Sequence, residues 1–137
     1  MSVIITDAGF SRDTLALPFQ PLSANDPLPH GLDLGSDTDL TQLDGRLDGV
    51  WAIRIDFPSF ADGRGFTLAR ELRRMGFAGH LRARGHVIAD QYAMARRSGF
   101  DDVEISDDLA ARQPEDQWKA RANWKAHDYQ ARLRGAA

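Results

Sequence analysis

The sequence predicts an α/β fold: a single small domain with a mostly parallel sheet built from strand–helix repeats, plus a C-terminal amphipathic helix. Three observations predict it. Residues 50–106 alternate strand-like and helix-like stretches with short connections, the pattern that requires parallel pairing and right-handed crossovers. Arg73-Arg74-Met75-Gly76-Phe77 returns 23 residues later as Arg96-Arg97-Ser98-Gly99-Phe100, so a similar helix exit is used twice. The length, 137 residues, suits one domain and is too short for a cofactor domain joined to a substrate domain.

Residues 1–49 read as an irregular N-terminal segment, interrupted by Pro18, Pro21, Pro27 and Pro29. Two apolar pieces, Val3-Ile4-Ile5 and Leu15-Ala16-Leu17, are candidate edge strands, and they would widen a core of three strands that is thin by itself. Leu40, Leu43 and Leu47 recur at helical spacing after Asp37 and Asp39, which predicts a short helix near 38–47.

The core spans 50–106. Val50-Trp51-Ala52-Ile53-Arg54-Ile55-Asp56 is β-branched and aromatic, and it stops at Phe57-Pro58. After a loop, Leu68, Ala69, Leu72 and Met75 share one helix face, with Thr67 as the expected N-cap and Gly76 as the stop. His80-Leu81-Arg82-Ala83-Arg84 is the second strand. Ile88, Tyr92 and Ala95 mark a second helix ended by Gly99, and Val103-Glu104-Ile105 is the third strand. Residues 107–137 form a helical tail. Asp107-Asp108 opens one piece, Pro114 breaks it, and Trp118, Ala122, Ala126, Tyr129 and Leu133 predict an amphipathic helix over 115–134. That helix either covers the sheet or serves as a partner-docking arm, because Trp124 lies off its main stripe.

Composition limits the chemistry. There is no cysteine, which removes disulfides, thiolate zinc sites, cysteine nucleophiles and all-thiolate iron–sulfur ligation. A net charge of -3 argues against nucleic-acid binding, whose footprint is a basic excess. No apolar run approaches the ~18–20 residues that span a bilayer. The N-terminus lacks the basic and apolar regions of a signal peptide, so a cytoplasmic protein without a membrane role is expected.

In a parallel sheet, ligands gather at the carboxyl ends of the strands. The first such end, Asp56 to Gly65, is the least generic stretch. Asp62, Gly63, Arg64 and Gly65 stand just before a helix, where N–H groups and a guanidinium suit an anion. The competing reading is a turn in which Arg64 pairs with a carboxylate such as Asp56. The second strand end supplies Arg84 and His86, followed by Asp90 and Gln91. His86 is either an acid–base group or a surface histidine. Glu104 either orients an arginine or faces solvent. The catalytic residues are unassigned. No metal site is expected, because His30, His80, His86 and His127 lack ligand spacing, and Gly-x-Ser-x-Gly is absent.

The stretch Ile55-Asp56-Phe57-Pro58-Ser59-Phe60-Ala61-Asp62-Gly63-Arg64-Gly65-Phe66-Thr67-Leu68-Ala69-Arg70 resembles the hallmark of DUF934, a bacterial family of unknown function. The similarity continues through Gly76-Phe77, Gly79, Leu81-Arg82-Ala83, Gly85, Val87-Ile88, Asp90-Gln91 and Arg96 to Asp101. The family's pattern implies an acidic residue at position 86 and a basic or polar one at 89, where this chain carries His86 and Ala89. Family members are often encoded beside assimilatory sulfite reductase. The resemblance therefore implies a place in bacterial sulfur assimilation, with sulfite reductase or a related enzyme as partner.

Three functions fit these readings. The first is an accessory protein of sulfite reduction that binds a partner enzyme or a small oxyanion at the strand carboxyl edge. The second is a small enzyme acting on an anionic substrate through His86 or Asp56. The third is a regulatory module that binds a partner with its C-terminal helix. No cofactor is predicted, although a flavin held by backbone contacts is compatible because it needs no particular side chain. Without cysteine or a dinucleotide fingerprint, a self-sufficient oxidoreductase is the weaker expectation.

Overall fold

A computed structural model describes residues 2–13, 15, 17–23 and 28–125. Seven strands form one sheet: β1 (Ser2–Thr6), β2 (Gly9–Ser11), β3 (Phe19–Pro21), β4 (Gly31–Leu34), β5 (Ala52–Phe57), β6 (His80–Gly85) and β7 (Asp102–Ser106). Their order is β2-β1-β7-β6-β5-β4-β3. Strands β3 to β7 pair in parallel, while β1 runs antiparallel to both β2 and β7. Helix α1 (Arg64–Arg74) connects β5 to β6, and α2 (Tyr92–Ser98), entered through a 3-10 turn at Ala89–Gln91, connects β6 to β7. Two short helices follow, α3 (Asp107–Arg112) and α4 (Glu115–Lys119). The architecture is α/β and mostly parallel.

Alternation along the strands separates two sheet faces. Leu32, Leu34, Ile53, Ile55, Phe57, Leu81, Ala83, Val103 and Ile105 are buried with Phe66, Ala69 and Leu72 of α1 and Tyr92 and Ala95 of α2 in one core. Registered pairing places Asp33, Arg54, Arg82 and Asp102 on the opposite face, followed by Asp56, Arg84 and Glu104. Strands β2 and β3 lie at opposite edges. After β2, Asp13 lies against the second face, its Oδ2 3.1 Å from Arg82 Nη1.

Several details differ from the sequence expectation. Val3-Ile4-Ile5 is an interior strand, not an edge: Ile4 and Ile5 are adjacent yet both buried, because β1 is covered on both faces. Leu15 and Leu17 join no strand, and residue 16 between them lies outside the described residues. The true edge β3 ends in Pro21, at a position where a missing N–H is tolerated. The helix near 38–47 is a 3-10 turn at Leu40–Leu43. Helix α1 begins at Arg64 rather than after Thr67, since Asp62 Oδ1 accepts the Arg64 backbone N–H at 3.1 Å. A Cβ on Gly65 would sit 2.4 Å from the Phe57 ring, so glycine lets the first turn pack onto β5. The helix expected over 115–134 is α-helical through Lys119, and turns follow to Lys125. Residues 126–137 lie outside the described residues.

Candidate functional site

The two predicted strand ends are built differently. In the first loop, Arg64 is held by its neighbour Asp62: Nε to Oδ1 at 3.0 Å and Nη2 to Oδ2 at 2.8 Å. Ser36, just after β4, closes the triangle by accepting from Arg64 Nη2 at 3.0 Å and donating to Asp62 Oδ2 at 3.1 Å. The Arg64 hydrogen bonds hold the Asp62 carboxyl well below the usual carboxylate range. The guanidinium thus has two carboxylate oxygens on one edge, although the side chain is 60% exposed. Its partner is Asp62, not Asp56.

The second strand end is more open. Arg84 is 49% exposed, and its ion pair to Glu104 Oε2 is long, 3.4 Å. Asp56 is its neighbour across the parallel pair. Gly85 has φ +115, and a Cβ there would stand 2.7 Å from the Phe57 carbonyl oxygen, so this position requires glycine. His86 donates its backbone N–H to the same carbonyl at 2.9 Å, and its ring lies edge-on to Phe60, with centroids 5.4 Å apart. Gln91 ties the two loops together. Its Nε2 donates to the Phe60 carbonyl at 2.9 Å, while its Oε1 accepts the Ile88 N–H at 3.1 Å. Asp90 turns away, accepting from Arg121 Nη2 at 2.7 Å.

Two cavities meet here. One, about 380 Å³, is lined by Ser2, Arg84, Gly85, Glu104, Ile105 and Ser106. The other, about 400 Å³, is lined by Phe60, Gly85, His86, Ser106, Asp108, Leu109 and Arg112. They share Gly85 and Ser106, at the carboxyl ends of β6 and β7. The structure therefore gathers Arg84, His86 and Gln91, with Asp56 beside Arg84. It leaves Asp62 and Arg64 with Ser36, Gly63 as the N-cap of α1, Gly65 against Phe57, and Asp90 with Arg121.

Behind Arg84 runs a charged ladder. Arg54 grips Asp33 at 2.6 and 2.9 Å and reaches Glu104 at 3.2 Å. Arg82, 2% exposed in its side chain, grips Asp102 at 2.9 and 3.0 Å. Arg82 Nη1 also approaches Glu104 at 3.5 Å. Glu104 is therefore shared by Arg54, Arg82 and Arg84, the orienting role rather than the solvent-facing one. Hydrogen bonds and charge from Asp33, with Glu104 assisting, outweigh burial and raise the Arg54 pKa. Burial alone would lower that of Arg82, but Asp102 and Asp13 outweigh it and the net direction is upward.

Most of this ladder is absent from the sequence expectation, as are Phe60, Leu109 and Arg112. The signal that carries it is period-two charge on three otherwise apolar strands: Arg54 and Asp56, Arg82 and Arg84, Asp102 and Glu104. Among the described residues, no group of three or more histidine and acidic side chains could hold a metal ion. No helix among them is long and apolar enough to cross a membrane.

Fold and cleft together define a class: an open, mostly parallel α/β sheet with a charged cleft at its carboxyl edge. The sequence profile of a family described as "Bacterial protein of unknown function (DUF934)" matches residues 31–137. The chain belongs to that family. No curated protein and no solved structure matches it.

Proposed function

We propose that the chain is an accessory protein of sulfite reduction in the bacterial cytoplasm. It acts by binding, and its binding edge is the carboxyl end of β5 to β7, which takes a partner enzyme or a small oxyanion. The observation that supports this most is Arg84: a half-exposed guanidinium on a cleft wall, whose one ion pair among the described residues is the long contact to Glu104. Charge-assisted contacts to an oxyanion are shorter and stronger than that contact, so a ligand competes well for it. The sulfur-assimilation setting rests on the family resemblance. The binding role, rather than electron transfer, rests on the lack of any thiol to ligate a cluster.

The test is co-purification of the tagged chain with sulfite reductase, beside calorimetric titration with sulfite and sulfate. Arg84→Ala should weaken the measured binding by about tenfold, the equivalent of ~1.4 kcal/mol. Arg64→Ala, whose guanidinium Asp62 already occupies, should weaken it less. An intact chain that retains neither the enzyme nor either oxyanion overturns the reading.

A further inference from the structure

We propose that the cleft over Gly85 takes an anion carrying a flat aromatic body, with the charged group on Arg84 and the ring against Phe60 and Leu109. This rests on the reading that the carboxyl edge binds anions, and it narrows the ligand from a bare oxyanion to an aromatic one.

The two cavities have unlike linings and a shared floor. On one side stand Arg84 and Glu104; on the other stand Phe60, Leu109 and His86, with Asp108 and Arg112 as further charges. Gly85 and Ser106 are the floor between them, with Ser106 Oγ accepting the Leu109 N–H at 3.2 Å. At Gly85 no side chain rises, and none can, because a Cβ would collide with the Phe57 carbonyl and the backbone is left-handed. A ligand can therefore lie across the junction instead of filling one cavity only.

Phe60 supplies the second half of the argument. It is 45% exposed, one of four large apolar side chains so exposed among the described residues. Its backbone is tied and its ring has a neighbour: the Gln91 amide donates to its carbonyl, and its ring stands against the His86 ring at 84°. A half-exposed ring lining a cavity gains by burying its area on a ligand. A bare oxyanion uses none of that surface. Glu104 contributes selectivity, since any group on Arg84 must displace a carboxylate, which only an anion does favourably.

The experiment titrates the full chain with inorganic phosphate and with phenyl phosphate, following heat. The native chain should bind phenyl phosphate about tenfold more tightly than phosphate, the increment of one ring contact. Phe60→Ala should bring phenyl phosphate down to the affinity of phosphate and leave phosphate itself unchanged, with an unaltered far-ultraviolet dichroism spectrum. Arg84→Ala should weaken both ligands alike. Equal affinity for the two in the native chain overturns this inference and leaves the oxyanion reading standing. A phenyl preference that survives Phe60→Ala overturns it too. Binding of neither ligand overturns this inference as well, while retention of sulfite reductase, sulfite or sulfate decides the accessory reading separately.

Discussion

At the scale of single residues, the ladder on the second sheet face is a costly arrangement, because it takes charges out of water. Arg82 and Asp102 are both nearly out of solvent, and each is tolerated because the other meets it with two hydrogen bonds. His80 Nε2 lies 2.9 Å from Asp102 Oδ2, so this one carboxylate serves two neighbours. Asp102→Asn leaves the Arg82 guanidinium without its bidentate acceptor and should cost ~3–5 kcal/mol in urea unfolding. Burial raises the Asp102 pKa, but the hydrogen bonds and charges of His80 and Arg82 outweigh it, and the folded value falls below 3.8. A carboxyl lowered in this way stabilises the fold above its unfolded pKa and loses that contribution as pH falls through its folded value. The urea midpoint of the native chain should therefore drop from about pH 4 downward, and part of that slope should vanish in Asp102→Asn. Asp7 works in the same direction: burial raises it, while hydrogen bonds from Arg96, Tyr92 and Trp124 lower it further. An unchanged acid slope in Asp102→Asn would mean that another carboxylate carries the effect.

At the scale of elements, the twice-used helix exit shows what was legible in the sequence. In both copies the phenylalanine N–H closes onto the carbonyl five residues back, Phe77 to Leu72 and Phe100 to Ala95, each at 3.1 Å. In both, the first arginine donates to the phenylalanine carbonyl, Arg73 at 2.9 Å and Arg96 at 2.6 Å. Local signals of this kind act within one turn, so β5, α1, β6, α2 and β7 are legible in the sequence to within a few residues. Where the structure differs, the deciding contact is distant. Helix α1 starts early because of Asp62 and Phe57, and β1 became interior because β7 and β2 flank it. The candidate site was legible in the same measure. Strand ends pointed to Arg84, His86 and Gln91, but the partner of Arg64 and the sharing of Glu104 depend on strand order. The two exits also differ testably. Gly76 has φ +95 with open space beside it, whereas Gly99 has φ +113 and its added Cβ would meet Arg73 Cγ at 2.7 Å. Arg73 cannot yield freely, being bound to the carbonyls of Phe77, Gly79 and Gly99. Gly76→Ala should cost roughly 1–2 kcal/mol for the left-handed backbone. Gly99→Ala should cost more, and a lower thermal midpoint than that of Gly76→Ala is the check.

At the scale of the whole molecule, the C-terminal segment fastens the edge of the sheet that the N-terminal hairpin creates. Strand β2 would expose its unpaired backbone groups, but Glu115 Oε2 accepts the Phe10 N–H at 2.8 Å. Trp118, 1% exposed, donates Nε1 to the Gln113 carbonyl and meets the Tyr92 ring edge-on at 6.2 Å. Trp124 reaches Asp7 with its Nε1 at 3.2 Å, and Arg96 stacks over its indole at 4.8 Å. Residues 115–125 thus tie the β1–β2 hairpin to α2. Trp118→Ala should cost ~3–5 kcal/mol, the range for emptying a buried aromatic site. A chain ending at Pro114 should lose at least as much, because it also gives up Glu115 and Trp124. Urea unfolding of the two variants beside the native chain checks this. A truncated chain that kept the native midpoint would show that the segment after Pro114 is an appendage to the fold and leave it open to a partner.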